Sequence, residues 1–205
     1  MLDTDVIRQT AKEHTMKQKL AKLIRVITIP PVFAALLCTL LYCRVDGAYA
    51  SAGHYVAALC FLSFLPLLSY PVSAMVPAFR NDRRKAERTL GLIFSVAGYI
   101  GGALFVLFTH CTKIETAIYG TYLLSGLSLA VCTALRFKAS AHTCGCSGPI
   151  AGLSYFISPW FLLGYILLGV VSWASIRLKR HSTMQLIGGS VIPVLALLLC
   201  CQWLL

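Results

Sequence analysis

Charge is what this sequence has least of. Only 12% of its 205 residues are charged, about half the roughly 25% usual in a soluble domain. So little charge cannot cover a water-soluble globule. The 58% hydrophobic content and a mean hydropathy of +0.78 point to a chain dissolved in lipid. Acidic residues are the scarcest, seven against eighteen Lys and Arg, which leaves a net charge of +11. Such a surplus can serve nucleic acid. Here, however, the basic residues alternate with long apolar runs and no aromatic-basic reading motif accompanies them, so anionic lipid headgroups or phosphate are the expected partners and no nucleic acid is.

Other absences narrow the architecture. No Gly/Ser/Pro-rich linker and no internal repeat divides the chain, so one domain is expected. The first run of residues, MLDTDVIRQTAKEHTMKQKLAKLIR, is polar for about twenty positions, unlike a cleaved leader. The first apolar run is therefore expected to remain as an anchor. The nine cysteines fall mostly inside apolar stretches, where a thiol acts as a small hydrophobe, so no disulfide framework is expected. Cys144 and Cys146 follow His142 in the run HTCGC and offer soft-metal donors. A second ligand cluster at structural-zinc spacing is missing, and the run reads as helix packing, with no metal or cofactor assigned.

What is present is a series of apolar runs. A membrane-spanning helix needs about 20 apolar residues, and runs of that kind cover 23–44, 55–79, 89–110, 114–135, a short and less apolar 143–157, 159–176 and 182–204. The expectation is an all-α polytopic bundle of six to seven spans over 23–205, preceded by a segment 1–22 whose residues 5–22 lie as an amphipathic helix on the membrane surface. Pro30-Pro31 should kink the first span. Seven crossings leave only Arg44 and Lys113, of eighteen basic residues, on one side. The other side is then cytoplasmic by the positive-inside rule, and the protein resides in the plasma membrane of a bacterium.

Three polar segments meet that basic side at span ends: RNDRRKAER at 80–88, RFKASAH at 136–142 and SIRLKRHSTMQ at 175–185. Singly, each reads as an interfacial anchor or a charge cluster. Jointly they supply the cations, hydrogen-bond donors, nucleophile and acid that phosphoryl transfer requires. Arg177, His181 and Gln185 are spaced four apart and would share one helix face, with Gln185 holding one ring nitrogen of His181. Lys138, Ser140 and His142 precede a helix whose first turn would offer unpaired N–H groups to an anion.

The runs ASAH at 139–142 and RHSTMQ at 180–185 resemble the second and third signature motifs of the type 2 phosphatidic acid phosphatase superfamily, whose patterns are K-x6-R-P, P-S-G-H and S-R-x5-H-x3-D. The resemblance covers residues 80–205. It implies that His181 is the nucleophile that becomes phosphorylated, that His142 is the general acid, and that Ser140 and Arg88 contact phosphate. Asn81 stands at the position of the first motif's lysine, Thr89 at that of its proline, and Ser175 at that of the third motif's arginine, with Arg177 two residues on. Gln185 replaces the aspartate that orients the nucleophile, as in a divergent prokaryotic branch of the superfamily.

The implied activity is a metal-independent membrane phosphatase of lipid phosphates, of the isoprenyl diphosphate or phosphatidate type. Its substrate phosphate would be held by Arg88, Lys138, Arg177 and Ser140. Two alternatives are a catalytically silent lipid-phosphate-binding relative and a small transporter subunit. A transporter would be expected to carry ionisable residues deep within its spans, and almost none occur there.

Overall fold

In the computed structural model, the described backbone covers residues 4–75 and 83–205, and the described side chains are those of 15–75, 87 and 89–205. Every regular element among them is helical: α1 (Thr4–Ile27), α2 (Pro30–Arg44), α3 (Ala52–Met75), α4 (Arg83–Phe108), α5 (Lys113–Ala134), α6 (Ala141–Phe156), α7 (Pro159–Arg177) and α8 (Thr183–Leu204). Large apolar side chains such as Phe108, Trp160 and Trp203 point outward from many of these helices. In water that surface would be unstable; in a bilayer it is the solvated face. The chain is an all-helical protein with the character of an integral membrane protein.

Five helices, α3, α4, α5, α7 and α8, are long and apolar enough to cross a membrane. A sixth span exists if residues 15–27 and α2 count as one helix bent by 43°. The bend falls where Pro30 and Pro31 open α2, because proline at a helix start forfeits no internal hydrogen bond but cannot continue the preceding helix. The expected seven spans are thus five or six by length. The missing one is α6, whose 16 residues rise about 24 Å, short of the roughly 30 Å hydrocarbon layer. The backbone is helical across residue 22, where the surface segment is expected to meet the bundle. Helix α1 runs through it to Ile27, with Ala21 fully buried and Ile24 packed near Leu168 and Val171 of α7.

Although short, α6 is the axis of the bundle. Its residues His142 to Ser147 are mostly small and polar, and together with Pro149 to Leu153 they are largely buried against α2, α7 and α8. Small residues let backbones approach closely where no hydrophobic effect drives association. A Cβ on Gly145 would sit 2.4 Å from Pro30, and one on Gly189 would sit 2.4 Å from the Ser140 carbonyl oxygen.

The pairing along the helices fixes their directions. Gly145 lies at Pro30 and Gly152 at Leu37, while Ser140 lies at Gly189 and Gly148 at Pro193. Helices α2, α6 and α8 are therefore parallel, and all three begin at one end of the bundle. The connections 45–51 and 109–112 meet at the other end, tied by a hydrogen bond from Thr112 Oγ1 to the Ala48 carbonyl.

Candidate active site

The converging N-termini of α2, α6 and α8 set the electrostatics of their end. Each helix start carries the positive end of its dipole, although Pro30 and Pro31 contribute no N–H to the start of α2. Ser140 caps α6, its hydroxyl accepting from Thr143 N at 3.3 Å, and its own N–H donates to the Gln185 carbonyl of α8 at 2.9 Å. Thr143 Oγ1 reaches the Leu186 carbonyl at 3.2 Å. These bonds clamp the start of α6 against the start of α8. The second and third polar segments of the sequence thereby come together.

His142 is buried, at 9% exposure, on the first turn of α6, outside the candidate spans. Its Nε2 lies 3.2 Å from Thr28 Oγ1, and that hydroxyl already donates its only proton to the Ile24 carbonyl. Thr28 can therefore only accept, so Nε2 carries the ring proton and Nδ1 the lone pair. Burial, and then the positive charges of Arg25, His181 and Arg180, push the His142 pKa down to about 3. In the ligand-free site the ring is neutral. The same observation places His181, Arg25 and Arg180 within electrostatic reach of His142.

His181 is half-buried in the connection from α7 to α8. Its Nδ1 lies 3.2 Å from Gln185 Oε1, which also accepts from Ser182 N at 3.2 Å. Because Oε1 is an acceptor, Nδ1 is the protonated nitrogen and Nε2 keeps the lone pair. Gln185 doubles as the third residue of a capping box with Ser182.

The contact between Gln185 and His181 does not arise from a shared helix face. Helix α7 stops at Arg177, Lys179 adopts a left-handed backbone with φ 51°, and α8 starts only at Thr183. The expected continuous face over Arg177, His181 and Gln185 is absent because the Arg180 and Lys179 N–H groups turn back to the Ser175 and Ile176 carbonyls and close α7.

Of the remaining sequence-derived residues, Arg177 is half-buried and its Nε is enclosed without a hydrogen-bond partner. Leaving a buried charged donor unsatisfied costs on the order of 1–3 kcal/mol or more, so this N–H marks a place where an acceptor fits. Lys138 is exposed in the connection before Ser140. The backbone of Arg88 belongs to the first turns of α4, but its side chain lies outside the described residues, as does most of the 80–88 segment.

Two participants escape the sequence pattern. Arg25 of α1 donates through Nη1 to Ser175 Oγ at 2.6 Å, across 150 residues of chain. Thr28 fixes the His142 tautomer from the break between α1 and α2. Arg25 had counted only toward membrane topology; its one local signal is an arginine a turn ahead of the Pro30-Pro31 break.

Cys144 and Cys146 are buried free thiols, and Cys146 packs with its Sγ 3.6 Å from the Thr28 carbonyl. All nine cysteines are free. No family model, curated protein or solved structure matches this chain.

Proposed function

We propose that the chain is a membrane phosphatase of lipid phosphates, distantly related to the type 2 phosphatidic acid phosphatases. The observation that carries this reading is the meeting of two histidines with the Arg25 and Arg180 guanidinium groups at three parallel helix starts. Fixed cations and helix dipoles of this kind stabilise a transferring phosphoryl group without reorganisation during reaction.

In this mechanism His181, protonated at Nδ1 against Gln185, attacks phosphorus through Nε2. The P–O bond to the lipid alcohol breaks, and His142 gives the departing oxygen a proton. A water molecule, deprotonated by His142, then attacks the phosphohistidine, releases inorganic phosphate and restores both rings. His142 needs a proton before the first step. A phosphate dianion supplies the condition, because its negative charge opposes the cations that keep the ring neutral.

Arg25 also accounts for a departure from the superfamily pattern. Ser175 stands where that pattern has arginine, and the Arg25 guanidinium lies against the Ser175 hydroxyl. A guanidinium from α1 thus occupies the neighbourhood that an arginine at 175 would reach. The active end is proposed to face the cytoplasm, on the distribution of Lys and Arg; a cysteine introduced at Asp82 should resist an impermeant thiol reagent in intact cells, and labelling from outside would reverse the orientation.

A second reading has its own support: Gln185 cannot stabilise an imidazolium as a carboxylate does, and its side chain is also committed to the capping box. On this reading the protein binds lipid phosphates without hydrolysing them. One experiment separates the two: phosphate release by the detergent-purified protein from phosphatidate, isoprenyl diphosphate and a short-chain phosphate, with EDTA present and vanadate as inhibitor. Vanadate-sensitive release supports the enzyme. Saturable binding without release supports the binder.

A further inference from the structure

The end of the bundle opposite the histidine pair carries a second group of ionisable side chains, for which the phosphatase reading has no use. His54 on the first turn of α3, Cys111 in the α4–α5 connection and Glu115 on the first turn of α5 bring one donor atom each within 4.8 Å of the others. His54 Nδ1 is 2.8 Å from Glu115 Oε1 and 3.7 Å from Cys111 Sγ. Glu115 is 1% exposed. We propose that His54, Cys111 and Glu115 form a binding site for one zinc-class divalent ion.

Within the group itself, hydrogen bonding joins only two of these three side chains. The Nδ1 proton of His54 points to one acceptor, Glu115, and the Cys111 thiol lies beside the same nitrogen, where a protonated Nδ1 cannot accept from it. A shared cation explains all three. Tetrahedral zinc with bonds of about 2.0–2.1 Å to nitrogen and 2.3 Å to sulfur separates N and S by roughly 3.6 Å, and N and O by roughly 3.4 Å. The sulfur is already at that separation. The carboxylate needs to open by about half an ångström.

The surroundings hold the donors in place, as outer-shell groups do in metal sites. The second carboxylate oxygen of Glu115 accepts from Thr112 N in a capping box and from Ala50 N at 3.3 Å, which leaves Oε1 for the ion. Thr109 Oγ1, which donates to the Phe105 carbonyl at 2.6 Å, lies 3.3 Å from Cys111 Sγ and packs the sulfur beside the site. The His54 ring packs edge-on against Phe105, 4.9 Å between centroids.

Binding moves two protons. The thiol proton leaves to solvent as sulfur becomes a thiolate, and the imidazole proton shifts from Nδ1 to Nε2. Thiolate and carboxylate together neutralise the divalent charge, so the loaded site carries no net charge at the membrane edge. Sulfur, nitrogen and oxygen donors favour zinc-class ions over magnesium or calcium, and three protein ligands leave a position for water.

The test uses the full chain in detergent, without a histidine tag and stripped of metal, titrated with Co²⁺ as a spectroscopic substitute and then competed with Zn²⁺. One Co²⁺ per chain should give a thiolate-to-cobalt charge-transfer band that Zn²⁺ removes. Cys111→Ser should abolish the band, while Cys43→Ser, which removes an exposed thiol at the same end, should leave it. His54→Ala should weaken Zn²⁺ affinity by at least the 10–100-fold that outer-shell changes cost. Cys111 lies in a half-exposed connection, so its serine variant should fold even where His54→Ala does not, and circular dichroism checks both. Absence of a band in wild type, or a band of undiminished intensity in Cys111→Ser, overturns the site. Because the readout is absorbance, loss of the phosphatase reading would leave this result intact.

Discussion

The two ends of the bundle are built from the same materials and arranged to opposite effect. At the far end, Glu115 accepts from His54, Ala50 and Thr112, and Thr112 both caps α5 and ties it to Ala48. Tyr42, Tyr49 and Tyr55 stack beside the same connection. At the active end, Arg25, Arg180 and His181 bear on one buried histidine, and Arg177 holds an enclosed N–H with no partner. Donors and acceptors paired with one another tie the chain ends of the far side. Positive groups gathered around one buried histidine favour an anion. The first arrangement is expected to govern stability and the second to govern turnover.

The sharpest separation should come from the nucleophile. His181→Ala should lower phosphate release by about four orders of magnitude or more, on the scale of nucleophile removal elsewhere, while the thermal midpoint moves little because the side chain is only half-buried. Activity that survives this change in purified protein would return His181 to the role of an interfacial residue. Glu115→Ala should do the reverse. Removing the shared acceptor leaves its buried donors unsatisfied at about 1–3 kcal/mol each, which should appear as early unfolding in denaturant. Below its midpoint the folded fraction should keep its kcat and KM, and a loss of kcat at full folding would mean that the two ends are coupled.

Arg25 offers a finer test within the active end. Arg25→Ala should reduce kcat/KM about 10–100-fold, the loss expected for one charge-assisted contact of roughly 1.5–3 kcal/mol. Adding Ser175→Arg to that variant should recover part of the loss, since the new guanidinium can enter the space that Arg25 vacates beside position 175. If the double variant is worse than the single one, Arg25 acts by packing α1 on α7 and not as a stand-in for the arginine of the third motif.

The sequence made some of this legible and hid the rest for physical reasons. Apolar runs locate most helices because lipid-facing residues cannot be polar on any side. A helix start near Ser140 was legible, but the cap made by its hydroxyl was not, because the resemblance makes Ser140 a phosphate contact. Helix α6 was harder, because a helix enclosed by others needs neither the length nor the hydrophobicity of one that faces lipid. Arg25 lies 150 residues from Ser175, and His54 lies 57 from Cys111. No local period encodes such meetings. They depend on which helices run parallel, which was set by close approaches at Gly145 and Gly189.

The test that bears on the electrostatic picture most directly concerns the proton on His142. In the unfolded chain this ring titrates near 6.5, and in the folded protein its pKa is about 3. The folded state therefore binds fewer protons between those values, and its stability should be full above pH 6.5 and fall progressively as the pH drops toward 3. His142→Gln removes the titrating group and should flatten that part of the pH profile, at the expense of turnover. Phosphate should act in the opposite direction: a dianion among Arg25, Arg180 and His181 raises the His142 pKa, so binding near neutral pH should take up a fraction of a proton. Calorimetry of vanadate or phosphate binding in buffers of different ionisation enthalpy measures that uptake. Proton uptake in wild type that disappears in His142→Gln supports the acid role. Binding with no proton uptake at any pH from 5 to 7 would leave His142 neutral beside its ligand and remove it from the reaction.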